Sequence, residues 1–183
     1  MFILWYRGWG KPLTSDEVEN YFLTIRKNAG IENEPEPKFL KNFRELAKSD
    51  DGKEFIMVNL MKFKDNNPNS EAIKAHKRYS KEIIPLLLKN GSFPVFASKK
   101  SGQFITPDSV DDWDEVAMVR YRSRRDLIKM VVQGSKNDLG KDKWKSMEKT
   151  FVFPVKSILR VGLLRFGVFM FLVLLVLVIT LFM

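Results

Sequence analysis

The 183-residue chain reads as an α+β protein, and three observations carry that reading. Short runs apolar on both faces and bounded by turn signals mark strands near 55–61, 93–98, 113–121 and 151–155. Segments with apolar residues at helical spacing fall between them. The resulting order from about residue 53 is β-α-β-β-α-β, the split arrangement of a ferredoxin-like sheet with helices on one face.

The elements follow in turn. Thr14 and Glu17 form a capping box, and Val18, Tyr21, Phe22 and Ile25 then repeat as one helical stripe. After the Glu/Pro-containing linker 31–37, a second stripe of Phe39, Leu40, Phe43, Leu46 and Ala47 ends before the turn Ser49-Asp50-Asp51-Gly52. Residues 1–52 are therefore a helical N-terminal extension, in which the aromatic segment 2–9 suits either a membrane interface or packing on the domain.

The domain proper, 53–159, opens with the strand 55–61 and the loop 64–70. Ser70 caps a helix reaching to about residue 89, kinked at Pro85, with Ala72, His76, Tyr79, Ile83 and Leu86 on its inner stripe. Strands 93–98 and about 113–121 flank a polar loop containing Gly102 and Pro107. Ser123 caps the next helix, whose inner residues are Leu127, Met130 and Val131. Residues 143–149 add a helical turn or two before the last strand, where Pro154 indicates an edge or an irregular end.

The remaining segment, 160–183, is read as a transmembrane anchor, because 166–183 is an uncharged apolar run that would span about 27 Å as a helix. Lys156, Arg160 and Arg165, with the lysines between 136 and 149, flank it on the N-terminal side. The positive-inside rule then leaves the domain facing the cytoplasm, on a single-pass membrane protein. The apolar stretch 1–6 is too short for a signal-peptide core.

Composition excludes several chemistries. With no cysteine, disulfides, thiolate metal sites and cysteine nucleophiles are out, and the single histidine, His76, precludes a multi-histidine metal centre within one chain. No metal or cofactor is assigned. The net charge of +9 suits an anionic lipid surface, and no nucleic-acid recognition pattern accompanies it. Residues 134–141 approach a phosphate loop, but five residues rather than four separate the glycines and Asp142 stands where Ser or Thr must bind magnesium.

Two strings, Val58-Asn59-Leu60-Met61-Lys62-Phe63-Lys64 and Trp113-Asp114-Glu115-Val116-Ala117-Met118-Val119-Arg120-Tyr121-Arg122-Ser123-Arg124, resemble an uncharacterised family (domain of unknown function 1330) of the dimeric α+β barrel superfamily, over about 55–158. The resemblance implies a pocket between sheet and helices. Its relatives include cofactor-independent monooxygenases, haem-degrading enzymes and ring isomerases; the haem-degrading ones carry a histidine on the second helix, which this chain lacks. A sheet apolar on both faces also needs a second cover, expected to be a second copy in a homodimer, with coverage by the N-terminal helices as the alternative.

Within that pocket the candidate ligand-binding residues are Asn59, which interrupts an apolar strand, His76 and Tyr79 on the inner helical stripe, Arg120 and Tyr121 at the end of the third strand, and Trp113 at its start. Each has a structural counterpart reading: a satisfied bulge, a core histidine, packing, or an Arg120 ion pair with Asp114 or Glu115. Two functions follow as expectations. One is a membrane-anchored protein that binds a small apolar or aromatic ligand, with oxygenase- or isomerase-type activity within its scope. The other is a non-catalytic accessory or assembly subunit of a membrane protein complex.

Overall fold

The computed structural model describes residues 5–6, 10–105, 112–136, 139–156 and 163–182. Its elements are α1 (Ser15–Asn28), α2 (Lys38–Lys48), β1 (Phe55–Phe63), α3 (Glu71–Lys89), β2 (Phe93–Lys99), β3 (Glu115–Tyr121), α4 (Arg124–Ser135), α5 (Leu139–Ser146), β4 (Met147–Val155) and α6 (Leu163–Phe182). The four strands form one antiparallel sheet in the order β2-β3-β1-β4. Both strand prolines, Pro94 and Pro154, thus fall on edge strands, where a missing backbone donor is tolerated.

Alternation along β1 assigns the two faces of the sheet. Phe55 and Met57 turn toward the helices and pack with Leu87 of α3, Leu127 and Met130 of α4, and Tyr121 of β3. The register sets Asn59, Ala117, Met61 and Glu115 on that same side. α3 continues through Pro85 to Lys89. It is started by the Ser70 hydroxyl, which accepts the Ile73 N–H.

α4 has two buried sides. Leu127 and Met130 meet the sheet, whereas Ile128 joins Val18, Phe22 and Ile25 of α1 and Leu40 and Ala47 of α2 in a second cluster. The N-terminal helices therefore form a third layer over α4. Phe22 and Ile128 are fully buried, each stabilising the layer by about 1.5–3 kcal/mol relative to exposure.

Several expectations are corrected. Among the described residues no helix is long and apolar enough to cross a membrane. The transmembrane anchor, the single-pass membrane location, the lipid bilayer as partner and the cytoplasmic orientation therefore fall, and so does the membrane complex. The apolar side chains of α6 from Val168 to Phe182 are largely exposed.

The homodimer and the closed dimeric barrel find no support either. Covering the second sheet face was the reason to expect them, and one end of that face is closed within the chain: Tyr6 and Trp5 lie against Phe93, and Tyr6 lies against Arg120. Of the aromatic segment 2–9, residues 5 and 6 are described; the rest lies outside the described residues. The last strand starts earlier than expected, at Met147, because α5 ends at Ser146, whose hydroxyl donates to the Lys143 carbonyl.

Candidate functional site

His76 occupies the second turn of α3, which runs antiparallel to β1 and so brings the helix start beside the end of β1 and the beginning of β3. Its ring meets Phe63 edge-on, with centroids 4.9 Å apart. Its Nε2 lies 3.5 Å from Oε2 of Glu115, and the two side chains are 18% and 17% exposed. The other ring nitrogen, Nδ1, is shielded from solvent and has no hydrogen-bond partner. Burial pushes the imidazole pKa below its ordinary value of 6.5; Glu115 acts in the opposite sense and Lys99 adds to the depression.

Tyr79 follows one turn along α3. Burial pushes its phenol up to about 12. Tyr121, deeper on β3, stacks on Phe55 with centroids 5.4 Å apart and points its hydroxyl at Met130 Sδ, 4.0 Å away. Its phenol is raised too, first by burial and then by Tyr79. Both phenols stay protonated through the neutral range, so they offer neutral O–H groups in an apolar lining.

Asn59 has its needs partly met inside the sheet. Its amide Nδ2 donates to the carbonyls of Met57 at 3.2 Å and Ala117 at 3.3 Å, which ties β1 to β3 and explains a polar residue in an apolar strand. His76, Tyr79, Tyr121 and Asn59 thus share the helix side of the sheet.

The other two expected residues lie elsewhere. Arg120 projects to the opposite face, 5% exposed, where its fork donates to Oε2 of Glu54 at 2.6 and 3.0 Å, to the Gly91 carbonyl at 2.9 Å and to the Tyr6 carbonyl at 2.8 Å. Its guanidinium also sits 4.2 Å from the Tyr6 ring centroid. This is a structural clasp, and its carboxylate is Glu54 rather than Asp114 or Glu115. Trp113 precedes β3 and stacks under Lys149, whose Nζ is 5.7 Å from the ring centroid.

Sequence reasoning missed the role of Glu115. The signal was present, since alternation from Ala117 and Val119 places Glu115 on the helix side, and the crossover brings the first turns of α3 over it. Among the described residues no group of three or more His, Cys, Asp or Glu is arranged to hold a metal.

No family model matches the chain, and no curated protein matches it. Two solved structures share its fold. One is the RPA0582 protein of unknown function from Rhodopseudomonas palustris, with a TM-score of 0.57 at 18% identity, covering 69% of this chain and 96% of that one. The other is methylated RPA0582, with a TM-score of 0.57 at 19% identity, covering 70% and 96%. The likeness carries the fold alone. It makes this chain similar to a small α+β protein whose own function is unknown.

Proposed function

We propose that this α+β domain binds a small apolar or aromatic molecule between α3 and the sheet, beside His76, Glu115 and Tyr79. The observation that carries the reading is the Nδ1 atom of His76, a buried acceptor that no protein group satisfies, next to a carboxylate and in an otherwise apolar setting. An unsatisfied buried polar atom is costly, and a site that keeps one beside a perturbed titratable group is a natural place for a ligand. The resemblance of 55–158 to domain of unknown function 1330 supports the same location, because that superfamily implies a pocket between sheet and helices. Oxygenase- or isomerase-type chemistry belongs to this proposal as its widest form, with His76 as the group able to accept a proton.

Native mass spectrometry of the purified protein tests the reading. The wild type should carry a small organic molecule at detectable occupancy, and His76→Phe, which keeps a ring against Phe63 but removes both nitrogens, should carry much less. Equal occupancy in both would place the ligand elsewhere. Its absence from both, with no aromatic probe binding at millimolar concentration, would favour the non-catalytic accessory role, for which the exposed Phe96 and Phe151 on the opposite sheet face are suited.

A further inference from the structure

We infer that the molecule held beside α3 is neutral and flat and presents an O–H or N–H donor to Nδ1 of His76. The inference rests on the ligand-binding reading above and narrows it to a chemical class, that of phenols, enols and heteroaromatic N–H compounds.

Three features select this class. The first is the lone pair on Nδ1. A neutral imidazole has one donor nitrogen and one acceptor nitrogen, and a carboxylate facing one nitrogen fixes the N–H there. Glu115 faces Nε2 at 3.5 Å, where its charge favours the N–H on that nitrogen and leaves the acceptor lone pair on Nδ1, the atom that is buried and without a partner. A ligand donor completes the ring's hydrogen bonding; a ligand acceptor would meet a lone pair.

The second is charge. An anionic ligand at His76 would stand close to the Glu115 carboxylate in a partly desolvated site, where like charges repel strongly. Lys99 is the cation whose field reaches the imidazole, but it is exposed at the edge strand β2 and therefore screened by solvent. The third is shape. The Phe63 ring stands 4.9 Å from the His76 ring, and Tyr79 follows one turn along α3, a lining that favours a planar partner.

Titration of the full chain with phenol, anisole and benzoate, followed by calorimetry or ligand-detected NMR, tests this. The three probes share one ring and differ in carrying a donor, no donor, or a negative charge. Phenol should bind about tenfold tighter than anisole, the equivalent of one net hydrogen bond, and benzoate weakest of all. In Glu115→Gln the new amide can donate to Nε2 and send the ring proton to Nδ1, so the advantage of phenol over anisole should shrink and benzoate should gain. In His76→Phe phenol and anisole should bind alike.

Anisole binding as tightly as phenol to the wild type would overturn the donor requirement while leaving ligand binding intact. Benzoate binding as tightly as phenol would overturn the charge selection. Failure of both neutral probes to bind at millimolar concentration would remove the ligand-binding reading itself. Circular dichroism monitors the fold of each variant, and if His76→Phe does not fold, the Glu115→Gln series decides: an unchanged order of the three probes there sinks the inference.

Discussion

Glu17 of α1 holds Arg125 of α4 through both of its carboxylate oxygens, Oε1 to Nη1 at 2.5 Å and Oε2 to Nη2 at 2.8 Å, while Oε2 also accepts the Thr14 N–H at 2.9 Å. One side chain thereby closes the capping box of α1 and ties that helix to the layer beneath it. The arginine is the first cause of the depressed Glu17 pKa, which is held at about 2. The Thr14 backbone N–H adds to it.

Removing this carboxylate should loosen the outer layer. Glu17 is well exposed, so solvent screening limits the pair, and Glu17→Gln is expected to cost about 1 kcal/mol in urea unfolding at pH 7. The folded pKa is depressed, so the contribution is present above the ordinary value of 4.5 and is lost as pH falls toward about 2. The wild type and Glu17→Gln should therefore draw together as pH falls from 4.5 and converge in stability only below about pH 2. A gap that stayed constant with pH would show that the charge is not the source of the effect.

Arg120 gives a second prediction, and one that separates structure from ligand binding. It is buried on the sheet face away from His76 and clasps Glu54, the Gly91 carbonyl and the Tyr6 carbonyl. Truncating one member of a largely buried, hydrogen-bonded pair strands its partner, so Glu54→Ala should lower unfolding stability by about 3 kcal/mol. Arg120→Met, which removes the charge and keeps much of the volume, should cost less than Glu54→Ala. Neither should change the affinity of phenol at the α3 site. A change in phenol affinity larger than threefold in a folded Arg120→Met protein would return Arg120 to the binding site.

The α+β character was legible because strands and helices here have different apolar periods, and three caps, Thr14, Ser70 and Ser123, stand at observed helix starts. His76 and Tyr79 could be read onto one stripe of a single helix because helical spacing is local. Arg120 was misplaced because its position one residue from Tyr121 suggested proximity, whereas in a strand adjacent residues point to opposite faces. Its partner Glu54 lies 66 positions away in sequence, and no local pattern announces such a pair. The third layer was illegible for a similar reason: the partners of Ile128 are Val18, Phe22 and Ile25 of α1 and Leu40 and Ala47 of α2, far away in sequence, and the spacing within α4 does not announce them.

The titration of His76 supplies the last prediction. The groups that act on it are burial first, then Glu115, which favours the imidazolium, and Lys99, which disfavours it. Since the chain holds one histidine, its ring proton resonances in an NMR titration are unambiguous. They should report a pKa below 6.5, and Glu115→Gln should move it lower still by removing the favourable carboxylate. The sign for stability follows from proton uptake. Between the folded and the unfolded pKa the unfolded chain binds more protons, so the contribution of neutral His76 is complete above pH 6.5 and declines as pH falls through the folded value. His76→Phe should abolish that part of the pH dependence. A phenol-type donor bound at Nδ1 stabilises the neutral ring and should depress the pKa further, so a pKa that rises on phenol binding would mean that His76 meets the ligand as a donor rather than as an acceptor.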